Sequence, residues 1–101
     1  IKQAVGPKMP LIFDSGVRNG EHVVKALATG ADFVMLGRSA MYGLGAGGGT
    51  GLSNVIDMIS RETSAVMGLI GRQQPKMIDE TCLANHASNL PNNAISGRAA
   101  E

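Results

Sequence analysis

The chain has 101 residues, 44% of them apolar and 17% charged, with a formal net charge of +1. That balance excludes a disordered charged tail, and the absence of any basic run gives nucleic acid nothing to bind. The length suits one domain or a piece of one, and a single cysteine, Cys82, excludes an internal disulfide and fits a reducing compartment.

No apolar run approaches the ~20 residues a membrane-spanning helix needs. The chain begins with Ile1 rather than Met, and "IKQAVG" reads as the end of a helix. A processed or truncated piece of a longer polypeptide is the expectation.

The first strand is expected at Leu11–Phe13, entered through Pro10 and buried on both faces like a strand of a parallel sheet. Asn19 can cap a helix over "GEHVVKALAT", in which Val23, Val24 and Leu27 share a face, and Gly30 supplies a left-handed stop. A second apolar run, Phe33–Leu36, ends at Gly37 and Arg38. Strand, helix and strand within about 30 residues make one βαβ unit with parallel strands.

Next, "SAMYGLGAGGG" suggests a helical turn dissolving into a glycine-rich loop. From about Thr50 to Ile70 the apolar residues recur at helical spacing, with Asp57, Arg61 and Glu62 available to the wet side, and Gly71 closes the helix. A short helix is expected over about Lys76–Ala84 and a flexible tail beyond it.

The two strands end alike: Gly16 and Arg18 follow the first, Gly37 and Arg38 the second. Parallel neighbours place both ends at one edge of the sheet. Phosphate needs converging donors, which exposed backbone N–H groups and arginine forks provide, and glycine lets the backbone come close. The helix after Arg18 is expected to point its positive end at the same edge. Asp14 is out of place beside a dianion; it suits sugar or polyol hydroxyls, or an ion pair with Arg18.

Other candidates carry less. Gly43, Gly45 and Gly48 fit G-x-G-x-x-G but follow a helical turn rather than a strand, and no Walker lysine is present. His22 and His86 are expected to be solvated surface residues, Tyr42 to pack, and Met35, Met41, Met58 and Met67 to fill the core. Cys82 has neither a neighbouring base nor metal-ligand spacing in the sequence, so an inert thiol is expected, and no metal site is.

The stretch "PLIFDSGVRNGEHVVKALATGADFVMLGRSAMYGL" resembles the carboxyl-terminal part of the FMN-dependent 2-hydroxy-acid oxidising family. That family includes L-lactate dehydrogenase, mandelate dehydrogenase and glycolate oxidase. Its pattern is D-[GS]-G-[IVF]-R, a helix, A-L-G-A-x-x-[VIL]-x-[LI]-G-R and a Y-G-L-like turn, and residues 10–71 resemble it almost without gaps. Gly49 departs from it, standing where the family usually has an acid, and Gly71-Arg72 stands where it often has G-C.

The resemblance implies an α/β chain that is the last quarter of a (β/α)8 TIM barrel. Leu11–Phe13 would be strand seven and Phe33–Leu36 strand eight. Residues 1–71 would belong to the barrel domain and 72–101 to a partly flexible extension. It also implies FMN as cofactor, with Asp14, Ser15, Gly16, Val17 and Arg18 as one binding segment and Gly37 and Arg38 as the other. The substrate would be a small 2-hydroxy acid, the assembly a homo-oligomer, and the location cytoplasmic or peripheral at the inner membrane.

The family's catalytic histidine and substrate arginine lie in an S-N-H-G-G-R-Q stretch that this sequence does not contain. No catalytic residue is therefore assigned, and the chain alone is expected to be inactive. Two alternatives stand beside this reading: the IMP dehydrogenase and GMP reductase group, which shares "GADFVMLG", and a non-enzymatic phosphate-binding module.

Overall fold

In a computed structural model, residues 1–84 are described. Helix α1 (Lys2–Val5) leads to strand β1 (Ile12–Phe13), helix α2 (Gly20–Ala28), strand β2 (Phe33–Val34) and the 32-residue helix α3 (Arg38–Leu69). Two 3-10 turns follow, Pro75–Met77 and Glu80–Cys82. The expected tail from residue 85 onward, with His86, lies outside the described residues.

The strands pair in parallel, Ile12 opposite Phe33 and Phe13 opposite Val34. Each is shorter than its apolar run, yet hydrogen bonds extend the ladder: Asp32 and Phe33 both donate to the Leu11 carbonyl, and Met35 donates to Phe13. Burial on both faces is not found. Ile12 and Phe13, which as strand neighbours point to opposite faces, are both exposed, as is Phe33, and among the described residues only two strands form the sheet.

Helix α2 behaves as its sequence dictates. Asn19 adopts extended backbone and its side chain accepts from the His22 N–H at 2.9 Å, satisfying an amide that has no partner within the helix. At the other end Gly30 sits at φ 105°, Ala31 N–H reaches back to the Ala26 carbonyl and Gly30 N–H to Leu27, a Schellman closure. Val24 and Ala28 then pack against Met67 of α3 and Ile78, with Leu27, Val66, Ile70 and Leu83 around them. Burying an aliphatic side chain of this size contributes about 1.5–3 kcal/mol, so this small cluster holds α2 to the chain's second half.

The glycine-rich loop is not a loop. Helical backbone runs through it, broken only at Gly47 and Gly48 (φ 60°). A straight helix would separate Gly43 from Gly51 by about 12 Å. Instead a Cβ built on Gly51 would collide with the Gly43 carbonyl, and one on Gly43 would lie 2.6 Å from Val55. The two arms of α3 thus fold against each other with glycine on both sides of the contact.

Met67 is the one methionine of the four expected in the core that is buried there. Met35, Met41 and Met58 are exposed, as is Tyr42. The expected helix near Lys76–Ala84 is two single turns, because Ile78 and Asp79 between them are extended. Ile78 uses that extension to enter the core at 7% exposure.

Candidate functional site

Both strands deliver their following residues to the same place. Asp14, Ser15, Gly16, Val17, Arg18, Gly37 and Arg38, together with Ser39, line one cavity of about 190 Å³ at the carboxyl edge of the sheet. All seven residues singled out from the sequence are therefore neighbours, and Ser39 joins them.

The loop after β1 takes an unusual path. Ser15 has φ 97° and Gly16 φ 75°, two successive residues on the left-handed side of the map. A side chain at such an angle costs of order 1 kcal/mol or more, and surrounding contacts must hold it there. Three do. The Val17 side chain is buried, the Ser39 hydroxyl donates to the Val17 carbonyl at 3.0 Å, and the Arg18 N–H donates to His22 Nδ1 at 3.3 Å. The turn thereby places the consecutive residues Asp14 to Arg18 along the cavity wall.

The second wall is the start of α3. Gly37 is its N-cap and, lacking a side chain, leaves the first amides of the helix without a side-chain cap. Such amides form an anion site, with the helix dipole adding positive potential. A Cβ at either Gly16 or Gly37 would meet nothing within 4 Å, so both positions border open space. Arg18 and Arg38 are exposed, and neither takes part in an ion pair among the described residues.

Helix α2 starts two residues after Arg18, which lines the cavity, but fewer of its amides are free than the sequence suggests. Its Gly20 N–H donates to Glu62 at 2.9 Å and its His22 N–H to Asn19, so two of its free amides are satisfied internally. The start of α3, by contrast, has no side-chain cap. Glu62 correspondingly leaves the wet side where the sequence placed it, and is half-buried. The Asp14–Arg18 ion pair is absent among the described residues, which leaves Asp14 open to a hydroxyl-bearing ligand.

Two further side chains differ from expectation. His22 is a half-buried brace under Arg18 rather than a solvated surface residue. Cys82, far from an isolated thiol, accepts from Arg72 Nε at 3.2 Å, and that hydrogen bond chiefly holds the thiol pKa below its ordinary value. No cluster of metal-ligating side chains is found among the described residues, and none of their helices is long and apolar enough to cross a membrane.

The donor set fits a phosphorylated ligand: two guanidinium groups, the unshared amides of a helix start, and glycines that leave the approach clear. The single carboxylate, Asp14, fits a polyol attached to that phosphate. The chain is 47% identical over 83 residues to an L-lactate dehydrogenase of Acinetobacter baylyi, covering 82% of this chain and 22% of that protein. It is 49% identical over 73 residues to an L-lactate oxidase of Streptococcus iniae, covering 72% and 18% respectively. An L-lactate oxidase of Lactobacillus jensenii shares 45% over 96 residues, 92% of this chain and 24% of that enzyme. The chain thus spans about a quarter or less of the length of these curated relatives. The sequence profile of the FMN-dependent dehydrogenases matches residues 1–85. The chain belongs to the FMN-dependent dehydrogenase family, whose cofactor is FMN.

Proposed function

We propose that the cavity between the β1–α2 loop and the start of α3 receives the phosphate end of FMN. In this reading the chain is the carboxyl-terminal portion, strands seven and eight, of a (β/α)8 barrel that oxidises an L-2-hydroxy acid to the 2-oxo acid. One observation carries it: two glycine-and-arginine segments, separated by a whole helix in sequence, line the same cavity. Phosphate sites after strands seven and eight are frequent in such barrels.

The roles divide by chemistry. Arg18 and Arg38 present planar forks to phosphate oxygens. The α3 amides beyond Gly37 donate along the helix axis. Asp14 accepts from ribityl hydroxyls, and Ser15 and Gly16 shape the turn that lets the backbone approach. FMN, when bound, supplies the two-electron acceptor for the hydroxy acid. The S-N-H-G-G-R-Q stretch assigned to proton removal is outside this sequence, so the 101 residues anchor the cofactor without turning substrate over.

The test is the FMN dissociation constant of the intact enzyme carrying this segment, read from flavin fluorescence. Arg18→Ala and Arg38→Ala should each weaken binding about tenfold or more, since a charged hydrogen bond contributes roughly 1.5–3 kcal/mol. Unchanged constants in both variants would overturn the assignment.

A further inference from the structure

We propose that His22 is a positioning residue for the Arg18 limb of the cavity, an inference that rests on the phosphate reading above. The local geometry resembles a capping box shifted by one residue. In the usual box the N-cap side chain accepts from the third helical residue, whose own side chain returns to the N-cap amide. Here Asn19 accepts from the His22 N–H at 2.9 Å, but the His22 ring reaches one residue further and accepts from the Arg18 N–H at 3.3 Å.

That shift ties the first turn of α2 to the residue that carries the guanidinium. The need for such a tie is visible in the loop. With Ser15 and Gly16 both at positive φ, the segment is not held by its own backbone preference. Val17 is fixed from the α3 side by Ser39, and Asn19 is fixed as the α2 cap. Arg18 lies between them, and the His22 ring restrains its amide. His22 lines no part of the phosphate cavity, so it acts through Arg18 and not on the ligand. The bond requires Nδ1 to be the unprotonated nitrogen, because only that nitrogen can then accept.

The experiment compares His22→Leu, which removes the acceptor, with His22→Asn, which keeps one at the same branch point, and with Arg18→Ala. Each is made in the intact enzyme carrying this segment. FMN binding is read by flavin fluorescence, and hydrogen exchange at the Arg18 amide is read in the flavin-free protein. The expected result is about fivefold weaker FMN binding in His22→Leu, the scale of one ordinary hydrogen bond, together with faster exchange at Arg18. His22→Asn should restore both to within about twofold of wild type, since its side-chain oxygen can take the same amide. His22→Ala, a strong helix former, replaces the leucine variant if that one does not fold. Wild-type affinity in His22→Leu beside a tenfold loss in Arg18→Ala would overturn the positioning role alone. Failure of asparagine to rescue would do the same. Wild-type affinity in Arg18→Ala as well would remove Arg18 from the phosphate reading and the role of His22 with it.

Discussion

The Ser39 hydroxyl donates to the Val17 carbonyl at 3.0 Å, across 22 residues of sequence. This bond joins the two halves of the candidate site, because Val17 belongs to the loop after β1 and Ser39 to the first turn of α3. Losing the bond would free the two segments to drift apart.

Ser39→Ala should therefore weaken FMN binding about three- to tenfold, the equivalent of roughly 1 kcal/mol for a neutral hydrogen bond. Ser39→Thr retains the hydroxyl and should bind as wild type. Both constants are accessible by titrating the flavin-free enzyme with FMN. An alanine variant that binds with wild-type affinity would show that the two segments are set independently.

At Gly20 α2 lies tight against α3. A Cβ there would overlap the backbone of Glu62 and Thr63, while the Gly20 N–H donates to the Glu62 carboxylate. Alanine normally favours a helix over glycine by about 1 kcal/mol. At this position the clash should reverse the sign, with Gly20→Ala destabilising the protein by about 1–3 kcal/mol, as overpacked cores do. The midpoint of urea unfolding measures it. A midpoint at or above wild type would mean that the helices separate at little cost.

Much of the site was legible because its signals are local. An apolar run broken by glycine and arginine states where a strand ends, and two such runs flanking an amphipathic helix state that the ends are neighbours. Asn19 and Gly30 likewise mark α2 through short-range rules. What stayed hidden depends on tertiary contact. Nothing around Glu62 indicates that it caps a helix 42 residues earlier, and Ser39 looks like any small polar residue at a helix start. His22 was missed for a different reason. Its partner is four residues away, but N-x-x-H is not among the familiar capping pairs. The glycine-rich stretch misled through propensity: its glycines argue against a helix one by one, whereas the close approach of Gly43 and Gly51 makes glycine the residue that fits. The exposed methionines and Tyr42 show that apolar character does not reveal which face is covered.

Asp32 gathers three parts of the chain. Its carboxylate takes Lys2 Nζ at 2.6 Å and the Leu11 N–H at 2.8 Å, and Lys2 also donates to the Met9 carbonyl. The Lys2 hydrogen bond first, and the Leu11 amide second, lower the Asp32 pKa. A carboxyl depressed in the folded state contributes fully above its unfolded pKa, and the contribution disappears as pH falls through the folded value. Acidification below the ordinary carboxylate range should therefore loosen α1 and the entry to β1, seen as faster hydrogen exchange at the Leu11 amide. Asp32→Asn should remove that acid sensitivity. Identical pH dependence in both proteins would exclude Asp32 as its origin.

Cys82 offers a readout of the segment after α3. Gly71 at φ 70° turns the chain so that Arg72 N–H closes on Met67. The Arg72 guanidinium then reaches Cys82 through Nε, Thr81 through its terminal nitrogen at 2.8 Å, and Asp79 at 3.5 Å. A positive donor on sulfur favours the thiolate, and the thiolate is the reactive form. Alkylation of Cys82 by iodoacetamide should set in at lower pH than for an unperturbed cysteine. In Arg72→Met the onset should shift upward, because that side chain keeps apolar contact and loses the charge. Mass spectrometry of the peptide containing Cys82, with reaction time fixed and pH varied, follows the change. Coincident profiles for the two proteins would mean that the guanidinium does not govern the thiol in solution.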